Sequence, residues 1–255
     1  LTTFGIAAVV FSIPFSVLSD RYGRKLLMFL GALISVPVIA APGLSSDFLI
    51  LEILALVGGV AEAMYISTWN AYLADATPVA ARPAAFSLSF MVFTIASGVG
   101  SFLPALFPLS PFDFLQAHRI AFVSLGVLGL LTPFTVWRWA RDIKPTRSHR
   151  GILPRKSLRV IVKFSAANLM IALGAGLIIP LIPTWFYLQF NVTDVFSGPL
   201  VAASSIVMGL AAIASPGIAR RIGLVAGIVA TQLASTLFLL AIPFSSAAAL
   251  AAALY

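Results

Sequence analysis

Long runs of apolar residues separated by short polar stretches dominate the sequence. The runs lie at about 1–18, 26–41, 48–73, 84–107, 119–138, 160–187, 198–219, 223–243 and 247–255. None alternates polar and apolar residues as the strand of a membrane barrel does, and most approach the roughly 20 residues that a helix needs to cross a bilayer. The pattern predicts an all-α, multi-pass membrane protein. Prolines inside the runs are expected to kink the helices, which membrane helices tolerate.

The composition supports a membrane protein and excludes several other classes. Of the 255 residues, 60% are hydrophobic and only 9% are charged, whereas a soluble domain has about 25% charged residues. So little charge leaves the surface of a water-soluble enzyme uncovered, and the absence of cysteine excludes a disulfide scaffold. The net charge of +8 comes from residues in the loops, so topology explains it and we expect no nucleic-acid partner.

The distribution of basic residues predicts the orientation of the chain in the membrane. If every run crosses the bilayer, fifteen of the sixteen Lys and Arg residues fall on one side. Only Arg119 lies on the other side, together with Asp47, Asp113 and Asp194. By the positive-inside rule the basic side, including the loop 141–159, is cytoplasmic. We expect the protein to reside in the plasma (inner) membrane.

The basic loop 141–159 is predicted to be a linker between an N-terminal bundle, 1–140, and a C-terminal bundle, 160–255. Arg155, Arg159 and Lys163 are four residues apart, so a helix there would present a basic stripe to lipid headgroups, whereas a solvated linker is the alternative. The chain begins inside an apolar run, and its last run is too short to span. We therefore expect one helix before Leu1 and further helices after Tyr255.

Two turns on the basic side are similar in sequence. Residues 19–23 (SDRYG) align without gaps with residues 219–223 (ARRIG), at an offset of 200 residues. Parallel repeats of six helices are one of the architectures of transporters. The alignment predicts two related bundles.

The first of these turns also carries a family resemblance. Residues 18–25 (LSDRYGRK) resemble the motif between the second and third helices of the major facilitator superfamily, and residues 74–78 (ADATP) with Arg82 resemble its signature after the fourth helix. The resemblance implies a two-bundle transporter fold of which this chain covers the second to ninth helices and part of the tenth. The sequence departs from the family pattern at Ser16, where the motif has Gly, and in lacking the antiporter motif of the fifth helix.

The resemblance implies a role for the charged residues around the turn. In the family this cluster is a latch that holds one of the alternating-access states. The corresponding residues here are Asp20, Arg21, Gly23, Arg24, Asp75 and Arg82. Simple anchoring of the helices by positive charge is the alternative.

Polar residues within the apolar runs are the candidate binding site, because charge inside a bilayer is costly. Glu62 lies near the middle of the run 48–73, and at 100° per residue it shares a helix face with Tyr65 and Trp69. Such a face suits a cavity that binds a cationic group or a proton; a structural, hydrogen-bonded Glu is the alternative. Glu52, closer to the outer end, and Asn168, in the run 160–187, complete the candidate set for substrate or proton binding.

These observations predict a secondary transporter of a small solute that works by alternating access. The first hypothesis is proton-coupled efflux of drug-like or lipophilic compounds, which would make the protein an antiporter. The alternative is proton-linked uptake of a nutrient such as a sugar or organic ion. A non-transporting membrane scaffold is the third hypothesis. No enzyme motif is present, and His118 and His149 fall on opposite sides of the membrane. We therefore expect no catalysis, no metal and no cofactor, and we expect a monomer among membrane lipids.

Overall fold

A computed structural model describes residues 2–142 and 181–255, together with single positions between 162 and 178. Within these residues the backbone forms helices and no strand. The α-helices are α1 (Thr2–Tyr22), α2 (Arg24–Leu44), α3 (Phe48–Ala76), α4 (Arg82–Phe102), α5 (Phe114–Gly129), α6 (Leu131–Trp139), α7 (Ile182–Phe190), α8 (Asp194–Ile222), α9 (Leu224–Ala241) and α10 (Ala248–Leu254). Short 3-10 helices cover Val79–Ala81, Leu103–Leu109 and Ile242–Phe244.

Seven of the predicted apolar runs correspond to helical segments long and apolar enough to cross a membrane, counted over the described residues. Large apolar side chains cover their outer surfaces; Val9, for example, is 74% exposed. Exposed apolar side chains are costly in water and favourable in lipid. The chain is an all-α, multi-pass membrane protein, as predicted. Most of the run 160–187 lies outside the described residues, and the last run forms the seven-residue helix α10.

Acidic residues on the predicted outer side mark where two helices begin. The Asp47 carboxylate accepts hydrogen bonds from the backbone N–H groups of Leu49 and Ile50, at 2.9 and 3.1 Å, and caps α3. Asp113 accepts one from the N–H of Gln116 at 2.8 Å and caps α5. A carboxylate at this position satisfies otherwise unpaired donors and opposes the positive end of the helix dipole.

The prolines affect the helices unequally. Pro14 lies inside α1 and Pro37 inside α2, so these helices continue through them as predicted. The run 119–138, in contrast, is interrupted at Leu130, between α5 and α6. Pro133 has no N–H to donate to the carbonyl of Gly129, which explains a break at this point. The segment Phe114–Trp139 is still long enough to form one span.

The chain forms two compact units, each described separately. The first comprises Leu1–Arg82 and Ser110–Pro154. In it, α3 packs against α1 and α2, and α2 also packs against α5 and α6. Gly31 allows a close approach of α2 to α3, since a Cβ there would lie 2.9 Å from the backbone nitrogen of Tyr65 and 3.0 Å from the carbonyl oxygen of Ala61. Any larger residue would push these two helices apart.

The second unit comprises Pro83–Leu109 and Arg155–Tyr255, so α4 belongs to it despite its place in the sequence. Gly98 of α4 packs against the backbone of Ala202 in α8. A separate apolar cluster joins α7 to the following helices; its buried members are Ile182, Phe186, Ile242 and Ala251. The division into bundles 1–140 and 160–255 around a linker at 141–159 stays a prediction.

The two turns that align in sequence have the same backbone conformation. Gly23 separates α1 from α2 with φ 95° and ψ 153°, and Gly223 separates α8 from α9 with φ 85° and ψ 153°. Non-glycine residues rarely adopt such positive φ values. Each turn therefore requires its glycine, and the structure repeats the turn geometry at the predicted offset of 200 residues.

Candidate functional site

One face of α3 carries three of the five residues predicted to bind substrate or a proton. Glu62 is the middle residue of this 29-residue helix, and Tyr65 and Trp69 follow it toward the predicted cytoplasmic end. All three side chains are partly buried. The cap at Asp47 and the packing of Gly31 against the Tyr65 backbone fix the rotation of α3, and thereby the direction of this face.

The aromatic residues on this face form a continuous stack. The rings of Tyr65 and Trp69 are nearly parallel, with centroids 6.3 Å apart and an interplanar angle of 4°. Tyr72 extends the stack, at 6.2 Å and 25° from Trp69. We name Tyr65, Trp69 and Tyr72 the aromatic stack. Because the spacing of three and four residues places the rings one above another on a helix, the stack runs along α3 away from Glu62.

The Glu62 carboxyl group has neither a hydrogen bond nor an ion pair with another residue in the described part of the chain. An unpaired carboxyl group within a membrane span is costly to bury. A bound cation or a proton would compensate this charge. The structural interpretation, in which a neighbouring helix hydrogen-bonds Glu62, has no support among the described residues.

Glu52 occupies a different environment on the same helix. The Thr3 hydroxyl of α1 donates a hydrogen bond to Oε1 of Glu52. This contact joins α1 to α3 near the predicted outer face. Glu52 is thus occupied by a contact between helices, which distinguishes it from Glu62.

Three of the six predicted latch residues, Asp20, Arg24 and Asp75, meet beside the turn between α1 and α2. Arg24 is buried, and its Nη2 lies 3.1 Å from Oδ1 of Asp20. Its Nε lies 2.7 Å from Oδ2 of Asp75, at the end of α3, as an ion pair whose geometry falls outside that of a good hydrogen bond. One buried guanidinium therefore connects two carboxylates from two helices, and we name Asp20, Arg24 and Asp75 the turn cluster.

The remaining predicted residues take less central positions. Arg82 donates from Nε to the Thr77 carbonyl oxygen at 3.4 Å and so closes the segment between α3 and α4. Arg21 is exposed and has no ion pair with a described residue. Asn168 lies outside the described residues.

The sequence analysis missed three residues that the structure places at these sites. Tyr72 belongs to the aromatic stack, and its position three residues after Trp69 was a detectable signal. Thr3 bonds Glu52 from another helix, which no local pattern indicates. Asp142 lies beside Gly23 although 119 residues separate them, and only the fold brings them together.

The second unit contains a cavity of about 860 Å³, and the described residues that line it come from the start of α7 and the positions before it, from α9 and from the segment that follows α9. Its lining is mainly apolar, with Trp185, Gln232, Ser235 and Thr236 providing the polar groups. Thr236 donates its hydroxyl hydrogen to the Gln232 carbonyl oxygen at 2.8 Å within α9. None of the described lining residues is charged.

The arrangement on α3 is suited to organic cations. The faces of Trp and Tyr rings attract positive charge, most strongly for Trp, and a nearby carboxylate adds a full opposite charge. The same carboxyl group can instead take up a proton when no cation is bound. Binding of a cation and binding of a proton at Glu62 would then exclude each other.

Comparisons with known proteins give a consistent result. The model of the family described as Major Facilitator Superfamily matches residues 1–255. Multidrug resistance protein 1 of Bacillus subtilis (strain 168) is 30% identical to the chain over 118 residues. This match covers 45% of the chain and 30% of that protein, so the matched part is less than a third of the relative's length.

Proposed function

The chain belongs to the Major Facilitator Superfamily, and from this membership we propose that the protein is a secondary transporter that moves a small solute by alternating access. The observation that carries the proposal is the Glu62 carboxyl group at one end of the aromatic stack, which has no hydrogen-bond or ion-pair partner among the described residues. The proposed activity moves the solute without changing it chemically. The proposed location is the plasma membrane, with the basic loops in the cytoplasm.

We propose that the substrate is a lipophilic organic cation and that transport is efflux coupled to protons. Glu62 and the aromatic stack supply a negative charge and electron-rich ring faces, which is the chemistry that recognises a flat cation. If a proton and the cation compete for Glu62, entry of a proton from outside drives release of the cation. The name of the relative, a multidrug resistance protein, agrees with this substrate class.

Proton-linked uptake of a nutrient is the second candidate. The hydroxyl groups of Tyr65 and Tyr72 give it support, because a sugar or organic ion needs hydrogen-bonding groups. The indole of Trp69 between the two phenols favours the cation, since it contributes an aromatic face to the middle of the stack.

The turn cluster is proposed to act as the latch. The Arg24 side chain is only 7% exposed, so separating it from Asp20 and Asp75 leaves a buried charge without compensation. A conformational change that opens this face of the first unit has to break or move these ion pairs. The cluster would thus stabilise the state in which the pairs are intact.

The experiment that tests the function is a transport assay on the full-length protein in proteoliposomes. An imposed proton gradient should drive the movement of fluorescent lipophilic cations, and empty liposomes and a collapsed gradient are the controls. Movement of sugars or organic anions but not of cations would replace efflux by the nutrient candidate. No gradient-dependent movement of either class would contradict the proposed function.

A further inference from the structure

Asp142, three residues after the end of α6, lies against the turn between α1 and α2. Gly23 is buried, and a Cβ on Gly23 would lie 2.8 Å from Oδ1 of Asp142 and within 4 Å of its other two carboxyl atoms. The carboxylate of Asp142 therefore covers the position where every other residue carries a side chain. Glycine is required at this turn both for its positive φ and for this contact.

The carboxylate lies at a place where the backbone favours negative charge. Gly23 precedes the first turn of α2 and offers no side chain to cap the unpaired N–H groups there. The positive end of the helix dipole, together with Arg21 and Lys25 in the same turn, attracts an anion. The carboxylate of Asp142, from a distant part of the sequence, lies beside this position.

The residue before Asp142 is attached to a second element. The backbone N–H of Arg141 donates a hydrogen bond to the Tyr72 hydroxyl at 3.3 Å. Tyr72 is the last member of the aromatic stack on α3. Two consecutive residues after α6 therefore contact the α1–α2 turn and the end of α3.

We propose that Asp142 is a positioning residue: together with Arg141 it holds the start of the loop 141–159, which we name the connector, against the Gly23 turn and the aromatic stack. We name these two contacts, Asp142 with Gly23 and Arg141 with Tyr72, the clip. A movement of the turn then displaces the start of the connector, and a displacement of the connector in turn increases the mobility of the turn. We further propose that this coupling adjusts the balance between transport states, a role that rests on the proposed function. The two contacts of the clip do not depend on that function.

The second turn provides a matched control. Gly223 has almost the same φ and ψ as Gly23, but among the described residues a Cβ on Gly223 would meet no atom within 4 Å. Alanine at either position adds the same backbone strain. Only alanine at position 23 displaces a carboxylate, and it does so easily because Oδ1 is the end of a side chain.

The test uses a spin label on the connector of the full-length protein. The sequence contains no cysteine, so Arg141→Cys, whose backbone N–H is kept, can be labelled with a nitroxide. Asp142→Ala and Gly23→Ala should each shorten the rotational correlation time of the label, and the double variant should add nothing further. Gly223→Ala should leave the label as in the parent, while both glycine variants lower the apparent Tm by about 2–4 °C.

Other outcomes separate the parts of the proposal. An unchanged label in Asp142→Ala, or an equal response to Gly23→Ala and Gly223→Ala, overturns the clip. Asp142→Asn, which keeps the size and removes the charge, serves if the alanine variant fails to fold, and an immobile label there also overturns it. A mobile label with unchanged cation transport keeps the clip and removes its role in transport. If the unmodified protein transports no cation, the result contradicts the proposed function and leaves the clip unaffected.

Discussion

The buried Arg24 guanidinium lies 2.7 Å from the Asp75 carboxylate, although Arg24 begins α2 and Asp75 lies near the end of α3. The same guanidinium lies 3.1 Å from Asp20, whose side chain is 58% exposed compared with 34% for Asp75. Solvent screens the contact with Asp20 more strongly than the contact with Asp75. The two acidic partners of Arg24 are therefore not equivalent.

This difference predicts unequal losses of stability. Asp75→Asn should lower the free energy of unfolding by about 1–3 kcal/mol, because one-sided removal of a buried pair costs about 3–5 kcal/mol and loss of an exposed pair about 0–1 kcal/mol. Asp20→Asn should cost less than about 1 kcal/mol. Thermal unfolding in one detergent compares the two variants. Equal losses, or a larger loss for Asp20→Asn, would show that solvent exposure does not rank these pairs.

A second prediction concerns the two acidic residues inside α3. Glu62→Gln keeps the size of the side chain and removes its charge. Proton-coupled transport of cations should be lost, because an amide can neither attract the cation with a negative charge nor take up a proton. Glu52→Gln is the matched control, since the same chemical change on the same helix leaves an acceptor for the Thr3 hydroxyl. Transport rates in proteoliposomes, at equal amounts of inserted protein, measure both. Normal transport by Glu62→Gln would remove Glu62 from the proposed site.

The aromatic stack predicts a graded effect at Trp69. A cation over an aromatic face gains about 0.5–2 kcal/mol, most with Trp, so Trp69→Leu should weaken apparent affinity for a lipophilic cation by about 2- to 30-fold. Trp69→Phe should lie between the parent and Trp69→Leu. Trp139→Leu at the exposed end of α6 is the control and should leave affinity unchanged. The same variants are then measured with a neutral analogue of the cation. If Trp69→Leu weakens binding of the neutral analogue as much as binding of the cation, the result contradicts a cation–π contribution.

Much of the fold could be predicted because a membrane makes hydropathy informative. The runs predicted at 26–41 and 48–73 became α2 and α3 with ends shifted by only a few residues. The break at Leu130 was harder to foresee, because Pro14 and Pro37 show that proline does not always end a helix. The neighbours of a proline decide whether the freed carbonyl finds another partner.

The site could be predicted only where its geometry is local to one helix. Helical spacing placed Glu62, Tyr65 and Trp69 on one face and would have found Tyr72 as well. The contacts of Asp142 with Gly23 and of Thr3 with Glu52 join distant parts of the chain. Such contacts depend on helix packing, which the order of residues in one helix does not encode.

The last prediction tests the orientation on which the latch and the direction of transport depend. Positively charged residues resist transfer across the membrane, so the loop 141–159, with its concentration of Lys and Arg, should face the cytoplasm. Ser148→Cys in this loop and Ser46→Cys between α2 and α3 make a matched pair in a sequence without cysteine. In intact cells a membrane-impermeant maleimide should label position 46 and not position 148, and inside-out vesicles should reverse the result. Labelling of position 148 from outside would show that the predicted orientation in the membrane is reversed. Glu52 would then lie toward the cytoplasm, and the turn cluster would close the outer face instead of the inner one.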